Sequence, residues 1–253
     1  MSGAWADNQV YWATLAYARW WLAVDGPLLA ALGEARDFTP SHLRRVAVRY
    51  NVARGMVKDE NKSTDAAVQG LCDLIAAART TWPNPVEERA KRCLEIARNA
   101  QRLKFTGETL QVSAVSKFMW FVEPRNWTMF DRFVVRGMKV PANLTAPERF
   151  TEFYRRISAG GFATAVAQMQ PIIGHSKLPT LPAERIVDSL LMARGKDNKR
   201  DRPTLNIEVA ESRAYLGLLP PTFRDDLHRL ATQLQDEIGN DVLLPKTTKR
   251  KKS

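Results

Sequence analysis

A chain of 253 residues, of which 45% are hydrophobic, is long and apolar enough to bury a substantial core, and this composition excludes a disordered protein. Lysine and arginine number 38 against 27 acidic residues, which gives a formal net charge of +11 at pH 7. An excess of this size favours nucleic acid as a partner, or less often an anionic membrane surface; a basic protein without such a partner is the alternative.

The N-terminal segment and the cysteines exclude further classes. The segment "MSGAWADNQVYWATLAYARWWLAVDG" has no basic start and no cleavage site, and Arg19 interrupts it before it reaches the roughly 20 residues of a membrane span. We therefore expect no signal peptide, no transmembrane helix and a cytoplasmic location. Cys72 and Cys93 have no CxxC partner and no histidine at ligand spacing, so we expect two buried thiols and no metal site.

Apolar residues recur every three or four positions along most of the chain, which predicts helices. In chain order these segments are "VYWATLAYARWWLAV" (10–24), broken by Gly26 and Pro27, then "TPSHLRRVAVRYNVARGMVK" (39–58), "STDAAVQGLCDLIAAARTTW" (63–82), "VEERAKRCLEIARNAQRLK" (86–104), "TAPERFTEFYRRIS" (145–158), "GFATAVAQMQPII" (161–173), "LPAERIVDSLLMARGK" (181–196) and "PPTFRDDLHRLATQLQDEIG" (220–239). No alternating strand pattern interrupts them. We predict an all-α protein of about ten to twelve helices, with one compact domain over residues 1–245 and a basic disordered tail over 246–253.

A lysine inside an apolar run distinguishes the middle of the chain. Residues 108–122, "ETLQVSAVSKFMWFV", predict a short helix, a tight turn and a second helix that Ser113 or Ser116 caps. Lys117 then lies in the first turn of the second helix, where the helix dipole and the apolar neighbours lower its pKa. A lysine that supplies free amine is suited to Schiff-base chemistry.

An aspartate follows at the start of the next predicted helix. Pro124 ends the preceding helix, and "TMFDRFVVRGM" begins the next one with Asp131 near its start, where the dipole stabilises the carboxylate. An unprotonated amine beside an ionised carboxylate is typical of acid–base or covalent catalysis. The alternative is that Asp131 only caps its helix and that Lys117 is solvated.

The segment "SAVSKFMWFVEPRNWTMFDRFVVRGM" resembles the helix–hairpin–helix superfamily of DNA glycosylases, and within it the 8-oxoguanine glycosylase-like branch with its bacterial relatives. The resemblance covers residues 105–140, with a weaker one at 182–196. Lys117 matches the family lysine and Asp131 the family aspartate. The chain departs from the family in the shorter separation of these two residues, in the absence of a glycine-rich LPGVG hairpin, where only Gly107 is present, and in the absence of a four-cysteine cluster.

The resemblance implies a compact multi-helix glycosylase-like fold whose helix–hairpin–helix region lies at about 105–140. It also implies an enzyme that extrudes a base from DNA and cleaves the N-glycosidic bond. Lys117 would attack the sugar C1′ and form an imine that can lead to strand cleavage, while Asp131 would stabilise the charge on the sugar. If Lys117 is misplaced for attack, Asp131 would guide a water molecule instead. We expect a monomer that binds damaged or modified double-stranded DNA and needs no metal or cofactor.

Further residues are candidates for contacts with DNA. Aromatic side chains that could stack on the extruded base, or fill the gap that it leaves in the duplex, are Trp120, Trp127, Phe130, Trp20 and Trp21. The alternative for each of them is a place in the hydrophobic core. Candidates for DNA-backbone contacts are Arg125, Arg132, Ser113 and Ser116, with the helix that carries Arg44 to Lys58 as a further possibility.

Three alternatives stay open. The excised base can be oxidised guanine, in DNA repair, or a modified base of phage DNA, in defence. A non-catalytic protein that uses the hairpin to hold phosphates would bind DNA in a salt-dependent way without releasing bases. A helical interaction scaffold with incidental charge would have no appreciable affinity for DNA.

Overall fold

The computed structural model describes residues 3–33, 37–56, 64–178 and 181–240. These residues form thirteen α-helices and no β-strand. The helices are α1 (Gly3–Asp7), α2 (Gln9–Trp20), α3 (Gly26–Leu32), α4 (Pro40–Arg49), α5 (Thr64–Arg79), α6 (Val86–Arg102), α7 (Val112–Val122), α8 (Arg132–Gly137), α9 (Ala146–Ala159), α10 (Phe162–Gly174), α11 (Ala183–Lys196), α12 (Arg202–Leu218) and α13 (Pro221–Ile238).

The all-α prediction is confirmed, and the described helices pack compactly around one hydrophobic core that runs from Trp5 to Leu234. The expected ten to twelve helices are too few, because α1 and α3, of five and seven residues, are too short to show a helical period. Both cysteines, Cys72 and Cys93, are buried free thiols, as predicted. The tail predicted at 246–253 lies outside the described residues.

The junction after α2 differs from the prediction. A π-helical turn, Trp21–Asp25, follows α2, and Gly26 and Pro27 begin α3 instead of breaking the helix. Proline is tolerated in a first helical turn because its missing N–H would have no partner in the helix there. The π-helical turn places Asp25 fully in the interior, at 0% exposure.

Two antiparallel helices, α2 and α11, form the centre of the structure. At one end Arg194 Nε donates to Gln9 Oε1 at 3.0 Å. At the other end the Arg185 guanidinium lies 5.5 Å from the centroid of the Tyr17 ring. The two helices therefore run side by side in opposite directions, with room between their facing side chains for a cavity.

Helix α8 lies backbone against backbone on α11, and two glycines permit this approach. A Cβ atom at Gly137 would overlap the Leu191 carbonyl, and one at Gly195 would overlap the Phe133 carbonyl. Only glycine lets the two backbones come so close. This packing fixes the N-terminus of α8, and with it Asp131, beside the second half of α11.

Candidate active site

Lys117 lies in the second turn of α7, a helix in which every residue except Ser113 is buried. Its Nζ donates to Ser113 Oγ at 2.8 Å and to the Phe130 carbonyl at 2.9 Å. A further acceptor, the Ser113 carbonyl, is 3.5 Å away, at the limit of a hydrogen bond. A neutral amine has two N–H donors, so the two near acceptors satisfy it, whereas the third proton of an ammonium group has only the long contact.

Burial lowers the pKa of Lys117 from its ordinary value of 10.5 to about 8; the Asp131 carboxylate acts against this shift, and Arg185 adds to it. The predicted direction and the predicted effect of the apolar neighbours are therefore right, but the predicted position in the first turn of the helix, where the dipole would act, is wrong. Helix α7 begins at Val112 after Gln111, neither Ser113 nor Ser116 caps it, and residues 103–111 before it contain no helix.

Asp131 is the N-cap of α8, as the sequence predicts, and its Oδ1 accepts from the Phe133 N–H at 2.9 Å. Its Oδ2 has no hydrogen-bond partner within the described ranges. The carboxylate is partly exposed and forms no direct ion pair with Lys117 there. It is near enough to raise the lysine pKa, and one oxygen is free to stabilise positive charge.

Lys117 and Asp131 line the same cavity, which has a volume of about 310 Å³. Side chains of α1, α2, α11 and α12 and the end of α4 form the rest of the wall, with Trp12, Tyr17 and Trp20 among them. A concave site with aromatic walls and a few convergent polar groups is typical of a small-molecule or base-binding pocket. The structure thus brings together the two residues that the sequence singles out.

A buried charged cluster, which the sequence does not reveal, borders one end of this cavity. Arg185 donates to Asp25 Oδ2 at 3.4 Å, to the Tyr50 hydroxyl at 3.2 Å and, through Nη1, to Asp188. Asp25 also accepts from Trp20 Nε1 at 3.0 Å. Burial raises the pKa of Tyr50 well above its ordinary value. For Arg185 burial acts against the charged form, but Tyr50 and Asp25 raise its pKa above the ordinary value.

One signal for this cluster was present in the sequence. Asp25 ends an apolar run, "WWLAVD", and so breaks the same rule as Lys117, since a charge in a core segment must be paired. Its partner Arg185 is 160 residues away, so spacing along the chain could not connect them. The described residues contain no group of three or more His, Cys, Asp or Glu side chains that could hold a metal ion.

Of the five aromatic candidates, only Trp20 lines the cavity. Trp120 and Trp127 are fully buried, at 0% exposure, and Trp127 stacks on Tyr154 with ring centroids 4.3 Å apart. This position contradicts the prediction that they contact a base, because no face of either ring reaches the cavity.

The other two aromatic candidates also point elsewhere. The Phe130 ring packs on Phe150 and Phe153, at 5.0 and 5.5 Å between centroids, and only its carbonyl takes part in the site. Trp21 lies in a separate small cavity with Leu178 and Phe223. Neither ring is placed to stack on a base held beside Lys117.

The candidates for backbone contacts divide in the same way. Arg132 is exposed next to Asp131, with its guanidinium 4.4 Å from the Phe133 ring centroid. Arg125 is exposed but lies in a different cleft and is held by Glu123 at 2.9 and 3.0 Å. Ser116 is fully buried and accepts from the Phe130 N–H at 3.1 Å, which contradicts its predicted contact with DNA. The hydroxyl of half-buried Ser113 is already bonded to Lys117 and Phe130.

Two exposed residues lie at the rim of the cavity; the basic helix that carries Arg49 is among the sequence candidates, whereas nothing in the sequence singles out Asn51. Arg49 ends α4, and Asn51 follows two residues later with a positive φ of 54°. Both line the cavity.

Within the described ranges, every helix is too short or too polar to cross a lipid bilayer.

Comparisons of the chain with protein-family models, with curated proteins and with solved structures each returned no match.

Proposed function

We propose that the protein is a DNA glycosylase that extrudes a damaged or modified base from a duplex, binds it in the cavity beside Lys117 and cleaves its N-glycosidic bond. The observation that carries this proposal is a buried, fully hydrogen-bonded lysine of lowered pKa that opens, with a carboxylate, into an aromatic-walled cavity. The net charge of +11 and the resemblance of residues 105–140 to helix–hairpin–helix glycosylases support it. Base-excision repair and defence against phage DNA with modified bases are both consistent with this activity.

The hydrogen bonds of Lys117 support a nucleophilic role. The neutral amine donates both N–H groups to Ser113 and Phe130, which leaves its lone pair available. Attack of this lone pair on C1′ breaks the glycosidic C1′–N bond, and the electron pair leaves with the base, which takes up a proton. The C1′–O4′ bond then breaks as the sugar ring opens, O4′ keeps the electron pair and takes up the second proton of the amine, and an imine is left. The Asp131 carboxylate stabilises the positive charge that develops on the sugar.

Borohydride trapping on duplexes that each carry one lesion or modified base tests the proposal. We expect a covalent adduct that is lost in Lys117→Ala, and an Asp131→Asn variant that binds DNA but releases no base. Lys91→Ala is a matched control, since Lys91 is exposed on α6 and pairs with Glu88. Abasic sites without an adduct would assign the attack to a water molecule guided by Asp131. Neither product on any duplex would refute the proposal.

A second candidate, a non-catalytic DNA-binding protein, is favoured by one observation. The bonds from Lys117 to Ser113 and Phe130 tie the loop before α8 to α7, which is a structural role that needs no chemistry. In that case Lys117→Ala lowers stability, DNA binding stays salt-dependent and no base is released.

A further inference from the structure

The cavity is longer than a flat base needs. Its lining residues on α11 follow one face of the helix from Arg185 to Lys196, eleven residues apart. At 1.5 Å per residue this corresponds to about 16 Å. The cavity volume is about 310 Å³. A single flat base is shorter than the lined length of α11 and fills only part of the cavity.

Lys117 and Asp131 face the middle of this length. The loop that leads to Asp131 runs along α11, since Thr128 Oγ1 donates to Asp188 at 2.7 Å and the Phe133 carbonyl lies against Gly195. A base attached at the sugar carbon near Lys117 therefore enters the middle of the cavity. Small side chains there, those of Ala16 and Ser189, leave space for a flat ring.

The end away from Arg185 combines polar and apolar side chains. We call it the α12 end, and it is lined by Trp5, Trp12, Lys196 and Glu208 together with Leu205 and Val209. Lys196 Nζ and Glu208 Oε1 are 2.5 Å apart, and their side chains are 6% and 33% exposed. Trp5 is 7% exposed, and its buried Nε1 has no hydrogen-bond partner within the described part of the chain. This donor is therefore available to an acceptor on a bound ligand.

We propose that the α12 end binds a substituent on the extruded base, and that this substituent is larger than an oxo or methyl group and carries hydroxyl or amino groups. The Trp5 N–H and the Lys196 ammonium group supply donors, and the Glu208 carboxylate supplies an acceptor. The preferred substrate is then a bulky modified base rather than oxidised guanine. This inference depends on the proposed function, because it assigns the substrate of the same site.

Duplexes of one sequence that carry either 8-oxoguanine, uracil or a base with an exocyclic substituent of increasing size provide the test. The substituents are methyl, hydroxyethyl and a polyhydroxylated chain. We expect kcat/KM for excision to rise along this series. In Ala193→Leu, which adds volume on α11 next to the α12 end, kcat/KM for the polyhydroxylated base falls about tenfold to a hundredfold further than that for uracil. The same change at exposed Ala167 on α10 is the control and alters neither value.

If 8-oxoguanine or uracil is excised and kcat/KM for the substituted bases falls as the substituent grows, the inference is overturned and the proposed function stays intact. Release of no base and formation of no adduct on any duplex would overturn both. The wild-type series decides between these outcomes even if Ala193→Leu does not fold.

Discussion

Lys117 Nζ lies 2.9 Å from the carbonyl oxygen of Phe130, the residue immediately before Asp131. Ser113 Oγ donates to the same carbonyl at 3.0 Å, and Ser116 Oγ accepts from the Phe130 N–H at 3.1 Å. Both polar groups of the Phe130 backbone are thus held by α7. The position of the amine relative to the carboxylate is fixed before any substrate binds, and such preorganisation lowers the entropic part of a reaction barrier.

The rate of adduct formation should depend on the protonation of Lys117. Because only the neutral amine can attack, and because the pKa of Lys117 is about 8, we expect the initial rate of borohydride-trapped adduct to rise with pH and to reach half its plateau at about pH 8. Lys91→Ala should keep the same profile. A rate that stays flat between about pH 7 and pH 9 would contradict the assignment of Lys117 as the nucleophile.

The same lowered pKa makes a prediction about stability. The folded-state pKa, about 8, is below the ordinary 10.5, so the unfolded chain binds more protons between these values and the stability contributed by Lys117 increases with pH in this window. Relative to Lys117→Met, wild type should gain about 3 kcal/mol in free energy of unfolding from below pH 8 to above pH 10. Urea unfolding at several pH values measures this difference. A constant difference would mean that Lys117 stays protonated throughout.

The two central residues of the site were predictable from simple rules, because Lys117 breaks one and Asp131 follows another. Lys117 is a charge in an apolar helix, and Asp131 is a capping residue after a proline-containing turn. The depth of Lys117 was not predictable, because every face of the middle of α7 is covered by other helices and no period in the sequence records this. For the same reason the sequence does not distinguish Trp120, which is a core residue, from Trp20, which lines the cavity, since both lie in apolar helical segments.

Ser113→Ala separates two interpretations of this hydroxyl. If Ser113 positions the amine, its loss should lower the rate of adduct formation about tenfold or more, with the dissociation constant for DNA changed little and a stability cost of about 1 kcal/mol. If Ser113 contacts a phosphate, as the sequence predicts, affinity should fall and the single-turnover rate at saturating protein should not. Single-turnover kinetics together with equilibrium binding distinguish the two results.

The arginines at the rim should set the salt dependence of DNA binding. Arg49 lines the cavity, and Arg132 precedes Phe133 at the N-terminus of α8. The logarithm of the association constant for DNA falls as the logarithm of the salt concentration rises. If each arginine neutralises one phosphate, Arg49→Gln and Arg132→Gln should each make this slope less steep by about 0.9. Arg229, exposed on α13 and paired with Asp226, is the control. We expect Arg125→Gln to behave like Arg229→Gln, since Glu123 holds Arg125 in a separate cleft. A less steep slope in Arg125→Gln would support the predicted contact of Arg125 with the DNA backbone.

Arg185 should be indispensable to the fold although it is unsuited to direct contact with a substrate. Its guanidinium bonds to Asp25, Asp188 and the Tyr50 hydroxyl, so Arg185→Met leaves two buried carboxylates without their cation. Removal of one partner from such a group costs about 3–5 kcal/mol, which urea unfolding at neutral pH can measure. Asp25→Asn and Asp188→Asn, added to Arg185→Met, remove the unpaired charges and should recover part of this loss. If Arg185→Met alone costs less than about 1 kcal/mol, water reaches the cluster and the end of the cavity near Arg185 is open to solvent.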